Sequence, residues 1–332
     1  MTNRTTVKDI ARRAGVGTST VSRVLNDDRY VSDEKRARVL QAIEELDYRP
    51  NFNARWLRGG ATGLIGFITD EVATTPYAVD IIRGAQEAAS EQGNVLMVLN
   101  SSSAARTAEA IEFLLERQVM GIIYAAMFHR KVDLPDNVHD VPMTLANCYV
   151  GDRSLPSAVP DEFSGGYAAT RRLLQAGHRR IAFLNVFAPA TDAAEGRLAG
   201  YQQALAEFGI LYDPTLIGCA SEQSADNYAT TKAFLERSDA PTAFFVGNDR
   251  SAIGTYAAIR DKGLRIPDDI GVVGFDNQRD IAENLLPSLT TPQLPHYEMG
   301  AWAFGQLFID SAVEEAPQVK IECKLIERES VR

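Results

Sequence analysis

Apolar residues recur with two different periods along this 332-residue chain, and the change of period divides it. Over the first fifty or so residues the period is helical. Val7, Ile10, Ala11 and Ala14 fall at i, i+3, i+4 and i+7, one face of a helix. It should start after Thr6, whose spacing to Asp9 is close to a capping box, and stop at Gly15. In TSTVSRVLN (18–26), Val21, Val24 and Leu25 share an arc with Thr20, while Thr18, Ser19, Ser22, Arg23 and Asn26 share the opposite one. A third helix is expected from about Ser32, an N-cap residue followed by Asp33 and Glu34, with Val39, Ile43 and Leu46 as its buried stripe. Two short helices joined by three or four residues have helix-turn-helix spacing. Pro50 stops the third helix, and residues 51–58 are too few for an isolated helix in water. On composition that stretch, which runs into Gly59-Gly60, is either a plain linker or a helix that forms only with DNA and a second subunit.

From residue 61 the apolar residues come in short continuous runs instead. GLIGFIT (63–69), VLMVL (95–99), GIIYAA (121–126) and VPMTLA (141–146) read as buried parallel strands, with helical patterns around 78–92 and 104–117 separating the first three. The pattern repeats in RIAFLN (180–185), TAFFVG (242–247) and GVVGF (271–275), with helices near 163–176, 195–208, 225–237 and 249–262. TTPQLP (290–295) leads to a long helix and a last strand, KIECKLIERES. The fold class expected is a small all-α helix-turn-helix head plus an α/β core of two doubly wound parallel-sheet halves.

Charge sharpens the division. Residues 1–60 hold 12 basic and 8 acidic residues, whereas the remainder holds 22 basic and 36 acidic ones. A basic head on an acidic body points to a polyanion partner for the head alone. Three dispersed cysteines, Cys148, Cys219 and Cys323, form neither a disulfide framework nor a zinc cluster and suit a reducing cytoplasm. No apolar leader or membrane-length run is present, so a cytoplasmic protein is expected. The apolar arc of the second helix would hold a three-helix core, and its polar arc suits a DNA major groove, where arginine forks to guanine and Ser/Thr reach bases or phosphates.

TVKDIARRAGV, TVSRVLN, VSDEKRARVLQAIEELDYRPN and the AR-W-LR of residues 54–58 together resemble the lactose repressor family, which includes the galactose and purine repressors. The resemblance implies a helix-turn-helix domain over 1–49 with Thr18, Ser19 and Arg23 as base readers. Thr6, Gly17, Ser22 and Tyr30 belong to the same DNA-contacting set. It implies a hinge helix over 50–60, paired with its twin in the minor groove. Leu57 matches the apolar wedge between central base pairs, and Asn51, Ala54 and Arg55 match other hinge positions. Gly17 replaces the family's usual capping serine. Trp56 stands where a small or polar residue is common, either packing on its own core or adding hinge contacts. An effector and dimerisation core would span 61–332. Its N-subdomain would take about 61–160 plus 292–318, and its C-subdomain about 161–291 plus 319–332.

Ligands of such sheets bind beyond the carboxyl ends of the strands. Asp70, Arg197, Asn248, Asp249 and Asp276 fall there, and such groups hydrogen-bond vicinal hydroxyls, with Tyr77 available to cover a sugar face. Asp249 and Asp276 also sit where helix N-caps often do. The resemblance implies effector contacts at Arg197, Asn248 and Asp276. Thr75-Pro76-Tyr77 stands at the family's NP-aromatic stretch, and Asp70 at a variable pocket position. His296 is placed to line the mouth. The four histidines (129, 139, 178, 296) form no HExxH, and GGATGLIG precedes a strand, so neither a metalloenzyme nor a phosphate loop is indicated. The function expected is a DNA-binding repressor of carbohydrate genes with a sugar-like effector, without cofactor, metal or catalysis. Effector binding would change how the halves close and so the spacing of the hinge helices. Alternatives are a transport-type sugar-binding protein, or a regulator using a nucleobase, nucleoside or protein co-repressor. Residues 319–332 show no leucine heptad, so a homodimer on a palindromic operator is expected.

Overall fold

The computed structural model describes residues 5–25, 30–48, 62–135, 141–186, 191–221, 223–309 and 316–332. The chain divides into two compact units, Met1–Thr62 and Gly63–Arg332. In the first, α1 (Val7–Ala14), α2 (Thr18–Leu25) and α3 (Asp33–Glu45) form where the periodicity places them. The Asp9 carboxylate accepts from the Thr6 N–H at 2.9 Å and the Thr6 hydroxyl at 2.6 Å, fixing the start of α1. Gly15 adopts φ +64°, the left-handed conformation that ends a helix cheaply only at glycine. Ile10, Val21 and Val39 are fully buried at the centre of this small core. The stripe of α3 differs from expectation: Ala42 and Tyr48 are buried with Val39, while Ile43 and Leu46 pack only partly, because the small α1–α2 platform reaches one turn of α3 fully.

In the larger unit a six-stranded, all-parallel sheet is built from β1 (Leu64–Thr69), β2 (Val95–Asn100), β3 (Ile122–Lys131), β4 (Met143–Tyr149), β5 (Ser157–Asp161) and β11 (Gln318–Glu322). Its order is β11-β5-β4-β3-β1-β2. A four-stranded parallel sheet, ordered β7-β6-β8-β9, comes from β6 (Ile181–Val186), β7 (Ile217–Ala220), β8 (Ala243–Val246) and β9 (Gly271–Val273). A small antiparallel pair, β10 (Thr291–Pro292) with β12 (Leu325–Ile326), lies at the crossover. Around the first sheet run α4 (Asp80–Glu91), α5 (Ala104–Glu116) and α11 (His296–Gln306). Around the second run α6 (Glu162–Gln175), α7 (Asp192–Glu207), α8 (Ser224–Leu235), α9 (Asp249–Asp261) and the short α10 (Arg279–Ala282). Each sheet has a separate apolar cluster on each face, as parallel sheets require.

The two-half α/β architecture agrees with the sequence reading, with one correction at the C-terminus. Residues 318–322 lie in the first half's sheet, in register beside β5 from Gln318 opposite Ser157 to Glu322 opposite Asp161, so the chain does not cross at 319. Ser157 and Gln318 side chains bond across this edge at 2.6 Å. The chain returns to the second half at Cys323, which is buried in that half's core.

Both sheets reverse strand order internally, at β1/β3 in the first and β6/β8 in the second. A crevice opens beyond the strand ends at such points. The helices that border it cross at glycines. A Cβ on Gly196 of α7 would lie 2.6 Å from the Glu162 Cβ of α6, and one on Gly166 would strike the Arg197 backbone. That close approach sets Glu162 and Arg197 side by side.

Candidate functional site: a buried cleft and an exposed helix

The two switch points share one cavity of about 310 Å³. From the first half it is lined by Tyr77, by Met127, Phe128, His129 and Arg130 at the end of β3, and by Asn147. From the second half come Glu162, Val186, Thr191, Arg197, Asn248, Arg250, Asp276 and Gln278, with Leu294 and His296 from the crossover. The structure therefore brings Tyr77, Arg197, Asn248, Asp276 and His296 together on one cavity.

Asp70 is the exception. Its carboxylate accepts from the Met127 N–H at 2.8 Å and from Arg130 at 3.0 Å, and it does not line the cavity. It holds Arg130, which does. Asp249 also departs from a capping role. Asn248 is the N-cap of α9, its Oδ1 accepting from the Ser251 N–H and hydroxyl at 2.8 and 2.9 Å. The fully buried Asp249 carboxylate accepts from the Thr291 hydroxyl and the Gln278 N–H, each at 2.7 Å. Tyr77 offers less ring face than expected, because the Arg250 guanidinium sits 4.2 Å from its centroid.

Charge at the floor of the cavity is organised around Arg197. Its Nε donates to Glu162 at 2.7 Å, Nη1 to the Gly247 carbonyl, and Nη2 lies 3.8 Å from Asp276. The guanidinium carbon is 3.7 Å from the Phe275 ring centroid. Burial works against the charge on both Arg197 and Glu162, but each holds the other ionised: Glu162 titrates below its ordinary value and Arg197 above. Burial dominates at Asp276, pushing its carboxyl up to about 6 against the pull of Arg197. Burial and the charge of Asp276 raise Asp249 well above its ordinary value. Burial lowers His296 to about 4, so its ring is neutral and offers one donor and one acceptor. Asp276 has φ +106° and Asn277 φ +56°, a left-handed turn that Asp and Asn tolerate better than most residues. Of the five buried side-chain atoms without a hydrogen-bond partner among the described residues, four belong to cavity-lining His129, Arg250, Gln278 and His296. Buried polar groups are normally satisfied, so this concentration marks where an outside molecule would be bonded.

Sequence reasoning missed His129 and Arg130 because β3 runs past Ala126 to Lys131. It missed Glu162 and Arg250 because both stand in first helical turns, where charges are common. Their position directly after strand ends, beside Asp161 and Asn248, was the available signal.

In the head, Thr6, Gly17, Thr18, Ser19, Arg23 and Tyr30 are exposed and Ser22 is half-buried. The Gly17 carbonyl accepts from Thr20 and Val21 at 3.0 and 3.2 Å, so Gly17 is the N-cap of α2. Asn26, Asn51, Ala54, Arg55, Trp56 and Leu57 lie outside the described residues.

A two-half parallel-sheet core with a cleft between its halves that brings charged groups to a largely apolar lining, joined in one chain to a helix-turn-helix head, defines a ligand-binding DNA regulator. Residues 6–51 match the family described as "Bacterial regulatory proteins, lacI family", and residues 62–329 match "Periplasmic binding proteins and sugar binding domain of LacI family". The chain belongs to the LacI family of bacterial transcriptional regulators, and it is not an enzyme. It is similar to the sucrose operon repressors of Shigella flexneri and Escherichia coli, each 36% identical over 331 residues, covering 97% of this chain and 98% of theirs. The transcriptional repressor PurR of Edwardsiella ictaluri is 34% identical over 334 residues, covering 98% and 96%. Among solved structures, the Lac repressor dimer bound to operator and the anti-inducer ONPF matches with TM-score 0.80 at 27% identity over 99% of both chains. The regulator CelR in complex with cellobiose matches with TM-score 0.67 at 29% identity, covering 98% of this chain and 100% of that one. No helix among the described residues is long and apolar enough to cross a membrane.

Proposed function

We propose that this regulator is a cytoplasmic, homodimeric repressor of carbohydrate genes whose operator affinity is set by a sugar-like effector in the cleft. The observation that carries the reading is the convergence of Arg197, Asn248, Asp276 and His296 with Tyr77 on one cavity. Carboxylate, amide, imidazole and guanidinium groups beside an aromatic ring are the set that recognises vicinal hydroxyls. Thr18, Ser19 and Arg23 read base edges in the major groove, with Thr6, Gly17, Ser22 and Tyr30 alongside. Residues 50–60 are the hinge, with Asn51, Ala54, Arg55 and Leu57 in the minor groove. The sucrose repressors and the CelR–cellobiose complex support a carbohydrate effector, and the Lac repressor dimer on operator supports two-fold binding.

The effector acts only through different affinities for the closed and open arrangements of the two halves. An operator selected from randomised DNA, then titrated with the protein in the presence of a panel of mono- and disaccharides, tests this. One sugar should shift operator affinity about fivefold or more. A panel without effect, alongside a response to a purine base, would move the reading to a nucleobase co-repressor. Sedimentation equilibrium should give a mass near two chains.

A further inference from the structure

The cations around the cavity are unevenly answered. Arg197 is bonded to Glu162 at 2.7 Å and Arg130 to Asp70 at 3.0 Å. Arg250, lining the same cavity, makes no ion pair among the described residues. Its guanidinium lies over the Tyr77 ring, and its Nε is buried without a hydrogen-bond partner. Stacking uses the face of a guanidinium and leaves its edge donors unspent.

His129 stands at ion-pair distance from Glu162 but likewise keeps a buried ring nitrogen without a hydrogen bond. Its side chain is 9% exposed, and Nδ1 has no hydrogen-bond partner, standing 3.7 Å from Glu162 Oε1, too far for a bond. The two groups belong to one wall. Thr75 Oγ1 contacts Met127 Sδ at 3.3 Å, tying the Tyr77 loop beneath Arg250 to the strand end that carries His129 and Arg130. The cavity's carboxylates are engaged at its floor: Arg197 bonds Glu162, and Asp276, bonded by Gln278 at 2.8 Å, attracts Arg197 and Arg250 without a direct bond to either.

We infer that the ligand of this cleft is a polyol carrying an anionic group, a phosphate ester or a carboxylate, held by Arg250 together with His129 and Arg130. The inference rests on the reading of the cleft as a polyol site and adds its charge. Asp276 and Asn248 bond hydroxyls at the floor, and the Arg250 edge takes the anion, where charge-assisted bonds are strongest.

Calorimetric titration of the full chain with a sugar panel tests it, each sugar supplied as the neutral parent, the phosphate ester and the corresponding sugar acid. At least one phosphorylated or carboxylated form should bind about tenfold or more tightly than its parent. Which form wins tells phosphate from carboxylate. Arg250→Gln should collapse that preference, and Arg250→Lys should retain part of it, with thermal melting checking that both variants fold. The wild-type panel decides alone if they do not. A neutral parent that binds as tightly as its anionic forms, or an undiminished preference in folded Arg250→Gln, overturns the inference and leaves the polyol reading standing. Binding of no sugar in any form overturns both.

Discussion

Arg23 in the head and Arg197 in the core are both assigned to hydrogen-bond a molecule from outside the chain, and the protein houses them in opposite ways. Arg23 lies on the exposed arc of α2, whose other arc, Val21 and Val24, is buried in the head's core. Reading and folding use different faces of one helix. Arg197 is buried, and protein groups hold most of its guanidinium: Nε bonds Glu162, Nη1 the Gly247 carbonyl, one face lies on the Phe275 ring, and Nη2 stands 3.8 Å from Asp276. There a binding group is also part of the fold, and its surroundings fix it before any ligand arrives. Replacing an exposed reader should cost little stability, whereas replacing a buried one should cost much more.

The sharpest way to break this contrast is Arg197→Ala. It leaves Glu162 buried with only His129, 3.7 Å away, beside it, and should cost about 3–5 kcal/mol in urea unfolding, with loss of the effector response. A loss below about 1 kcal/mol would mean that the core tolerates Arg197 as loosely as a surface residue. Asp276→Asn tests the same network with the opposite sign. A carboxyl raised from 3.8 to about 6 in the folded state binds its proton more tightly there than when unfolded. Its contribution is therefore fully present below about pH 4 and is lost as pH rises through about 6. The variant should gain on the wild type by roughly 2 kcal/mol between pH 4 and pH 7.5, while no longer binding effector. A pH-independent difference in thermal melting would remove the titration from the account.

The head should behave otherwise. Arg23→Ala should weaken operator binding by about 1–3 kcal/mol and relax base preference at one position per half-site. Unfolding of the head should change by no more than about 0.5 kcal/mol. Selection from randomised DNA, with calorimetry on the same protein, reads both. The smallest effect belongs to Gly17→Ser. A Cβ there would meet only Ser19 Oγ, at 3.5 Å, and the residue is not held at positive φ. A serine should therefore cap α2 and add a few tenths of a kcal/mol to the stability of the head. A destabilised head would show that the glycine is needed for its backbone.

The same contrast explains what the sequence made legible. In the head, periodicity and caps are local facts, so the bounds of α1 and α2 and the outward arc of Thr18, Ser19 and Arg23 follow from spacing. In the core, the buried strands β1, β3 and β8 declare themselves by apolar runs, but SAVPD (157–161) and IGCA (217–220) do not. Each becomes a strand through its neighbours, β5 between β4 and β11 and β7 against β6. Arg197, Asn248 and Asp276 were reachable from strand ends. The partners of those groups were not, because hydrogen bonds between distant segments have no periodicity. Asp70 shows the consequence: a carboxylate past a strand end, whose bonds go to Met127 and Arg130 instead of the cavity.

The central claim is that the cleft and the head are energetically coupled, and coupling between two ligands is reciprocal. The direct measurement is calorimetric titration of the effector into the free protein and into the protein saturated with operator. Coupling requires effector affinities that differ by about fivefold or more, matching the factor by which effector shifts operator affinity. Equal effector affinities for free and operator-bound protein would contradict it.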